Sequence, residues 1–333
     1  MKQISLSTSF IKGAVSVEQK NGSLRPWRLP CSRQRLFPSP ENKLLNAAVL
    51  PSGVRVRIKT DACSIVLVVH PATEDRQFDL CIDTDIHSTF FLPAGDSEVK
   101  FTELPVGTKE VTIWLPPDVD VWLEALKVDD DAMVNPGSSE GKKWIAYGSS
   151  ITHCKRCHSP AKTWPALVAR EAGLDLTCLG LGGQCHLDIM IAREIREMPA
   201  DLISLKLGIN VYGNASLNPR TFKPAIIGFV ETIREKHPNT PFVLISPIIS
   251  PPKENEANKV GFTLEDMRQE VADATQRLLE VNRDKHLYYF DGRVLFGQEL
   301  AHSYLPDNVH PDAEGNVFLG KNFVNNILKE VDY

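Results

Sequence analysis

The sequence predicts an α/β protein in which a parallel sheet, covered by helices on both faces, follows a small antiparallel β-sandwich. Three observations carry this. From residue 144 onward, strand-like apolar runs alternate with segments of helical spacing, and that alternation builds a parallel sheet. The first ~135 residues hold short β-type runs broken by turn formers, with little helical periodicity. Between the two lies a polar stretch, Asp129-Asp130-Asp131 through Asn135-Pro136-Gly137-Ser138-Ser139-Glu140-Gly141, poor in apolar anchors.

In the first part, residues 54–59 alternate apolar and basic, 65–69 are continuously apolar and 110–115 form another candidate strand. Pro51-Ser52-Gly53, Pro93-Ala94-Gly95-Asp96 and Pro116-Pro117-Asp118 punctuate them as turns. The second part reads as strands at 144–147, 174–179, 202–207, 242–245 and 287–290, with helices at about 162–172, 189–198, 222–236, 264–281 and 316–331. Helical spacing is explicit in Phe222, Ile226, Phe229, Val230 and Ile233, which recur at three and four residues as a buried stripe requires.

A length of 333 residues exceeds what one core usually needs. Two domains are therefore expected, residues 1–137 and 138–333. Hydrophobic residues at 42%, charged residues at 24% and a net charge of -5 fit a globular protein without the basic excess of a nucleic-acid binder. The start, MKQISLSTSFIKGAVSVEQ, lacks the apolar core of a signal peptide, and no segment approaches a membrane span, so a cytoplasmic location is expected. Seven cysteines, an odd number without a secretion signal, point to reduced thiols.

Ligands of an open parallel sheet sit beyond the carboxyl ends of its strands. Four stretches fall on that rim: Gly148-Ser149-Ser150-Ile151, Gly180-Leu181-Gly182-Gly183-Gln184, Gly208-Ile209-Asn210-Val211 and Asp307-Asn308-Val309-His310. Singly, each is an ordinary turn or loop. Jointly they contain a hydroxyl nucleophile, a histidine base, a carboxylate to orient it, and oxyanion donors, which are the parts of acyl transfer. Asp307 and His310 stand three residues apart, so one loop carries both, and Gly148-Ser149-Ser150-Ile151-Thr152 lacks the last glycine of G-x-S-x-G. Both features differ from an α/β-hydrolase.

In these four blocks and their order, residues 142–331 resemble the SGNH (GDSL-like) hydrolase family. The resemblance implies a flavodoxin-like catalytic domain with Ser150, Asp307 and His310 as catalytic residues and an oxyanion hole of Ser150, Gly183 and Asn210. The preceding β region with Y-G-S-S-I-T is similar to the subgroup carrying an N-terminal jelly-roll-like β-sandwich. Ser149 stands where many relatives have aspartate, Gly182 replaces the usual serine of the second block, and Val211 replaces the aspartate after Asn210. None of these is a catalytic group.

The resemblance implies a serine esterase acting through an acyl-enzyme on a small acylated compound, such as an acetylated sugar or secondary metabolite, with no cofactor. An acyltransferase would use the same residues, and a non-catalytic carbohydrate-binding protein is the rival from another class. The expected partner is a small-molecule ester, with no nucleic acid and no membrane. His186, Tyr212 and Tyr304 neighbour the blocks as candidates for a substrate pocket.

Cys154 and Cys157 have zinc-ligand spacing, with His153, His158, Cys185 and His186 nearby, yet serine chemistry leaves a metal no task, and no metal site is expected. Gly180-x-Gly182-Gly183 places Cys185 where a dinucleotide loop needs its third glycine. Lys206, inside an apolar run, is expected to pair with a carboxylate at the strand end. The sandwich is expected to pack against the catalytic domain and shape its cleft. Residues 250–262, rich in proline and charge, leave open whether they close over the site.

Overall fold

The computed structural model describes residues 1–138 and 141–333. Ser139 and Glu140 of the predicted linker lie outside the described residues.

Two antiparallel sheets form the N-terminal sandwich. One runs in the order Ser16–Lys20, Ser23–Trp27, Leu123–Val128, Ile65–Val69, Glu98–Phe101, with Lys2–Ser5 also paired to Leu123–Val128. The other runs Val134–Pro136, Arg55–Thr60, Lys109–Trp114, Arg76–Ile82, Asp85–Leu92, with Ile11–Lys12 also on Arg55–Thr60. Alternation explains the packing: Val56 and Ile58 point into the sandwich while Lys59 stays exposed. Val111, Ile113, Phe78 and Leu80 join them against Ile65, Leu67, Val99 and Leu126 of the facing sheet. Each fully buried side chain of this kind contributes roughly 1.5–3 kcal/mol.

Part of the segment read as a linker is structured. Val134–Pro136 forms a strand on Arg55–Thr60. It is the outermost strand of its sheet, where the missing N–H of Pro136 breaks no inner ladder.

The second half holds a five-stranded parallel sheet in the order Leu174–Gly180, Lys142–Gly148, Leu202–Lys206, Phe242–Ile245, Leu287–Phe290. In chain order this is 2-1-3-4-5, the flavodoxin-like arrangement, whose switch point lies beside the first strand. Helices Trp164–Ala172, Ile189–Glu197, Phe222–Arg234, Leu264–Asn282 and Ala313–Phe323 cover it. The predicted stripe Phe222, Ile226, Phe229, Val230 and Ile233 is buried as its spacing requires. The last helix starts earlier than its periodicity indicates, because the Asp312 side chain accepts from Gly315 N–H at 2.8 Å and caps it, and it passes into a π-helical turn at Val324–Leu328. No helix of the described residues is long and apolar enough to cross a membrane.

The halves share a core. Trp27, Leu29, Phe37, Leu44 and Trp114 of the sandwich side pack into the same apolar cluster as Trp144, Leu176 and Leu179 of the parallel sheet. Polar ties flank that cluster. Ser52 Oγ donates to His153 O at 2.7 Å, Ala161 N–H donates to Asp79 Oδ2 at 2.7 Å, and Arg55 pairs with Asp175. Buried donors and acceptors satisfied in this way fix how the two halves meet, since breaking one leaves its partner desolvated.

Candidate active site

Ser150 follows the strand Lys142–Gly148 as the first residue of a one-turn helix, Ser150–His153. Ser149 caps that turn: its Oγ accepts from Ile151 N–H at 3.3 Å, and its carbonyl accepts from Thr152 and His153 N–H at 3.0 and 2.9 Å. An aspartate would cap equally well, which explains in physical terms why serine can stand there. The turn lies directly on the end of the neighbouring strand. A Cβ on Gly180 would sit 2.2 Å from His153 N and 2.4 Å from Thr152 C, so only glycine admits this approach.

His310 and Asp307 come from the loop after the helix Gln298–Tyr304. Asp307 Oδ1 accepts from Val309 N–H at 3.0 Å and His310 N–H at 2.7 Å, an Asx-type turn that folds the loop on itself. Asn308 takes the left-handed conformation at its apex, φ 61°, which asparagine tolerates better than most residues. Ser250 Oγ donates to Asn308 O at 2.6 Å and fastens the loop from outside.

The three side chains meet in line. Ser150 Oγ lies 2.7 Å from His310 Nε2, and His310 Nδ1 lies 2.8 Å from Asp307 Oδ2. With Nδ1–H donating to the carboxylate, Nε2 is left to accept from the serine hydroxyl. Burial alone would raise the Asp307 carboxyl. The hydrogen bonds from His310 N–H, the His310 ring and Val309 N–H outweigh it and hold the carboxyl well below the usual carboxylate range. Arg156 Nη1 also reaches Asp307 Oδ2, at 2.8 Å.

The second and third blocks converge on the same point. A Cβ built on Gly182 would lie 3.9 Å from Ser150 Cβ, which puts the glycine loop against Ser150, and Gly183 beside it has φ +73°. Asn210 Oδ1 accepts from Cys185 N–H of that loop at 3.0 Å, so its Nδ2 is the free end of the amide. Among the described residues, neither Ser150 N–H nor Gly183 N–H donates to a protein acceptor. Unpaired N–H donors on Ser150 and on the loop beside it suit a negatively charged oxygen.

One cavity opens on Ser150 and a second on the glycine loop. The first, of about 210 Å³, is lined by Ser150, Ile151, Cys154, Arg156, His310 and Pro311. The other, about 370 Å³, lies between Gly182 and Gly183 on one side and Lys43, Asn46 and Leu50 of the N-terminal part on the other. Lys155 borders both.

The three residues singled out for a substrate pocket line neither cavity. His186 bonds Ser216 Oγ at 2.8 Å and Gly183 O at 3.0 Å, propping the glycine loop from behind. Tyr212 is buried and donates to Glu256 O at 2.9 Å, while Tyr304 packs on Phe318 with ring centroids 5.0 Å apart. Residues 250–262 are pinned by these and other bonds: Glu254 pairs with Arg268, and Asn258 Nδ2 donates to Tyr212 O at 2.9 Å.

Lys206 differs from expectation. It is buried, and no ion pair joins it to a carboxylate among the described residues; burial lowers its ammonium to about 8, partly offset by Cys185. The cysteines are free thiols, burial pushes Cys154 well up, and no three His, Cys, Asp or Glu side chains among the described residues are placed to hold a metal ion. Sequence reasoning missed Arg28, which reaches the glycine loop from the sandwich side, and Lys155 and Arg156, whose signal was a basic pair just past the Ser150 turn.

Residues 141–327 match the model of the GDSL-like lipase/acylhydrolase family. The chain belongs to this family. Residues 9–123 match the SsfX3 N-terminal domain. Across 98% of both chains the structure is similar to the salicylyl-acyltransferase SsfX3 from a tetracycline biosynthetic pathway, with a TM-score of 0.89 and 31% identity. A GDSL-like protein from Bacteroides ovatus ATCC 8483 aligns over 97% of this chain and 96% of its own at a TM-score of 0.76 and 20% identity. A family two carbohydrate esterase from Clostridium thermocellum, solved with cellohexaose, aligns over 84% and 93% at a TM-score of 0.65 and 14% identity. The last two establish the fold. Among curated proteins none matches. For this GDSL-like chain, family membership supports ester hydrolysis as the reaction class.

Proposed function

We propose that the chain is a serine esterase in which Ser150 is the nucleophile, His310 the general base and Asp307 the group that orients it. The observation that carries this is the unbroken relay from Ser150 Oγ to His310 Nε2 at 2.7 Å and from His310 Nδ1 to Asp307 Oδ2 at 2.8 Å. Nε2 takes the hydroxyl proton as Oγ bonds to the ester carbonyl carbon, and the carbonyl π electrons move onto oxygen. Ser150 N–H, Gly183 N–H and Asn210 Nδ2 hold that oxyanion, each good donor contributing roughly 3–4 kcal/mol. The tetrahedral adduct collapses, the C–O bond to the leaving alcohol breaks, and the alcohol takes the proton from His310. Water then attacks the acyl-enzyme, gives its proton to His310, and Ser150 leaves reprotonated.

The cavity of about 210 Å³ beside Ser150 exceeds the ~150 Å³ that takes up benzene. Its size supports acetyl and small aryl acyl groups alike, on an acylated sugar or secondary metabolite. Acyl transfer is the second reading, favoured by 31% identity to SsfX3 over 98% of both chains; it differs only in the alcohol that intercepts the acyl-enzyme.

The test is hydrolysis of nitrophenyl esters from acetate to octanoate, with benzoate, by the wild type and Ser150→Ala. A mutant that keeps its circular dichroism and loses several orders of magnitude in kcat is expected. Equal activity in the two proteins would falsify the assignment. Added alcohols separate the readings: diversion of acyl groups into new esters at the expense of free acid marks a transferase.

A further inference from the structure

Arg28 lies on the sandwich side of the protein, is fully buried, and has no carboxylate partner among the described residues. Its five N–H donors have five acceptors. Nε donates to Leu50 O at 2.6 Å, Nη1 to Cys178 O at 3.2 Å and Gly180 O at 2.5 Å, and Nη2 to Ala47 O at 2.5 Å and His153 Nδ1 at 3.4 Å. Burial lowers it only to about 10, so it remains a cation at neutral pH.

His153 is the second half of this arrangement. Its Nε2–H donates to Pro117 O at 2.6 Å, which leaves the Nδ1 lone pair to accept from Gly182 N–H at 3.3 Å. Burial, and then the charge of Arg28, hold the imidazole well below its ordinary value, so it stays neutral and keeps that lone pair. His153 also ends the turn that carries Ser150. One buried pair thus grips the carbonyl of Gly180 and the N–H of Gly182, on either side of Leu181 and immediately before Gly183.

We propose that Arg28 and His153 are positioning residues of the oxyanion site, fixing the glycine loop so that Gly183 N–H faces the oxygen that becomes negative at Ser150. The sandwich is then part of the catalytic apparatus through Arg28. The inference rests on the proposed roles of Ser150 and Gly183. A structural link between the halves would need neither a neutral imidazole nor an acceptor aimed at Gly182. Misplacement of a donor by about 1 Å costs on the order of 10²-fold in turnover, whereas loosening of the halves alone lowers stability.

His153→Asn and His153→Gln separate these outcomes in the full chain. The asparagine oxygen falls near the position of Nδ1 and keeps an acceptor for Gly182 N–H; glutamine reaches the position of Nε2, keeps a donor for Pro117 O and loses that acceptor. Labelling of wild-type Ser150 by an alkyl fluorophosphonate, read by mass spectrometry, comes first. Absence of labelling would remove the proposed nucleophile, and with it the ground of the inference. With labelling established, His153→Gln is expected to lose on the order of 10²-fold in kcat on nitrophenyl acetate, with KM little changed. Its Ki for an alkyl boronic acid, whose adduct places an oxygen at the oxyanion site, should rise in parallel, and His153→Asn should recover most of both. Equal kcat and Ki in the two variants, with only their melting temperatures lowered, would overturn the positioning role. Arg28→Lys retains a cation but not the five-donor fork and is expected to lose kcat without KM; a wild-type kcat would exclude Arg28 from the role even if neither histidine variant folds.

Discussion

Asp307 and His310 are joined twice: the carboxylate accepts from the ring Nδ1 at 2.8 Å through one oxygen and from the His310 backbone N–H at 2.7 Å through the other. Ring and loop are therefore oriented by the same side chain. Asp307→Asn offers an amide donor where the ring needs an acceptor, which favours the wrong imidazole tautomer. A loss of about 10³–10⁴ in kcat is expected. The same change has a pH signature in stability. The folded carboxyl titrates below its unfolded value, so its stabilisation is present above that value, about 3.9, and is lost as pH falls through the folded one. In urea melts, the deficit of Asp307→Asn against wild type should be constant above about pH 5 and shrink on acidification. A deficit independent of pH would show that the charge contributes nothing to the fold.

How far the sequence disclosed this site depends on what each residue interacts with. The parallel sheet and its helices were legible because buried stripes such as Phe222 to Ile233 impose a period on the chain. Many sandwich strands were not, since Asp85–Leu92 and Ser16–Lys20 carry exposed or half-buried faces that dilute any apolar signal. Ser150, Asp307, His310 and the glycine loop were visible because each needs particular residues in a tight turn. Arg28 was silent: four of its five acceptors are main-chain carbonyls, as much as 152 residues away, and a carbonyl leaves no mark on the sequence. His186, Tyr212 and Tyr304 were near the blocks along the chain, yet adjacency on a rim loop does not fix which way a side chain turns.

Asn210 gives a cleaner test of the oxyanion site than a glycine does. Its Oδ1 is held by Cys185 N–H at 3.0 Å, and only Nδ2 is left to face the reacting oxygen. Asn210→Asp keeps an oxygen for Cys185 and removes the donor, whereas Asn210→Ala removes both. Each should lose about 10²–10³ in kcat with little change in KM. If Asn210→Asp retained wild-type turnover, the side chain would be a brace for the glycine loop rather than a donor to the oxyanion.

Lys206 is the least explained group near the sheet end, and its energetics can be measured. It is buried without a carboxylate partner among the described residues, and burial lowers its ammonium to about 8, from near 10.4 in the unfolded chain. Because the fold disfavours the charged form, the unfolded state binds more protons between those two values and stability rises with pH across that window. Below it, both states are charged and the full penalty applies, about 3 kcal/mol. Lys206→Met keeps the length and removes the charge, so it should raise the denaturation midpoint at pH 7, and its advantage should shrink as pH approaches 10. A mutant less stable than wild type at pH 7 would mean that the ammonium makes a contribution that outweighs its desolvation. A stable mutant with reduced kcat would instead place the charge among the groups that act on the reaction from beside Cys185.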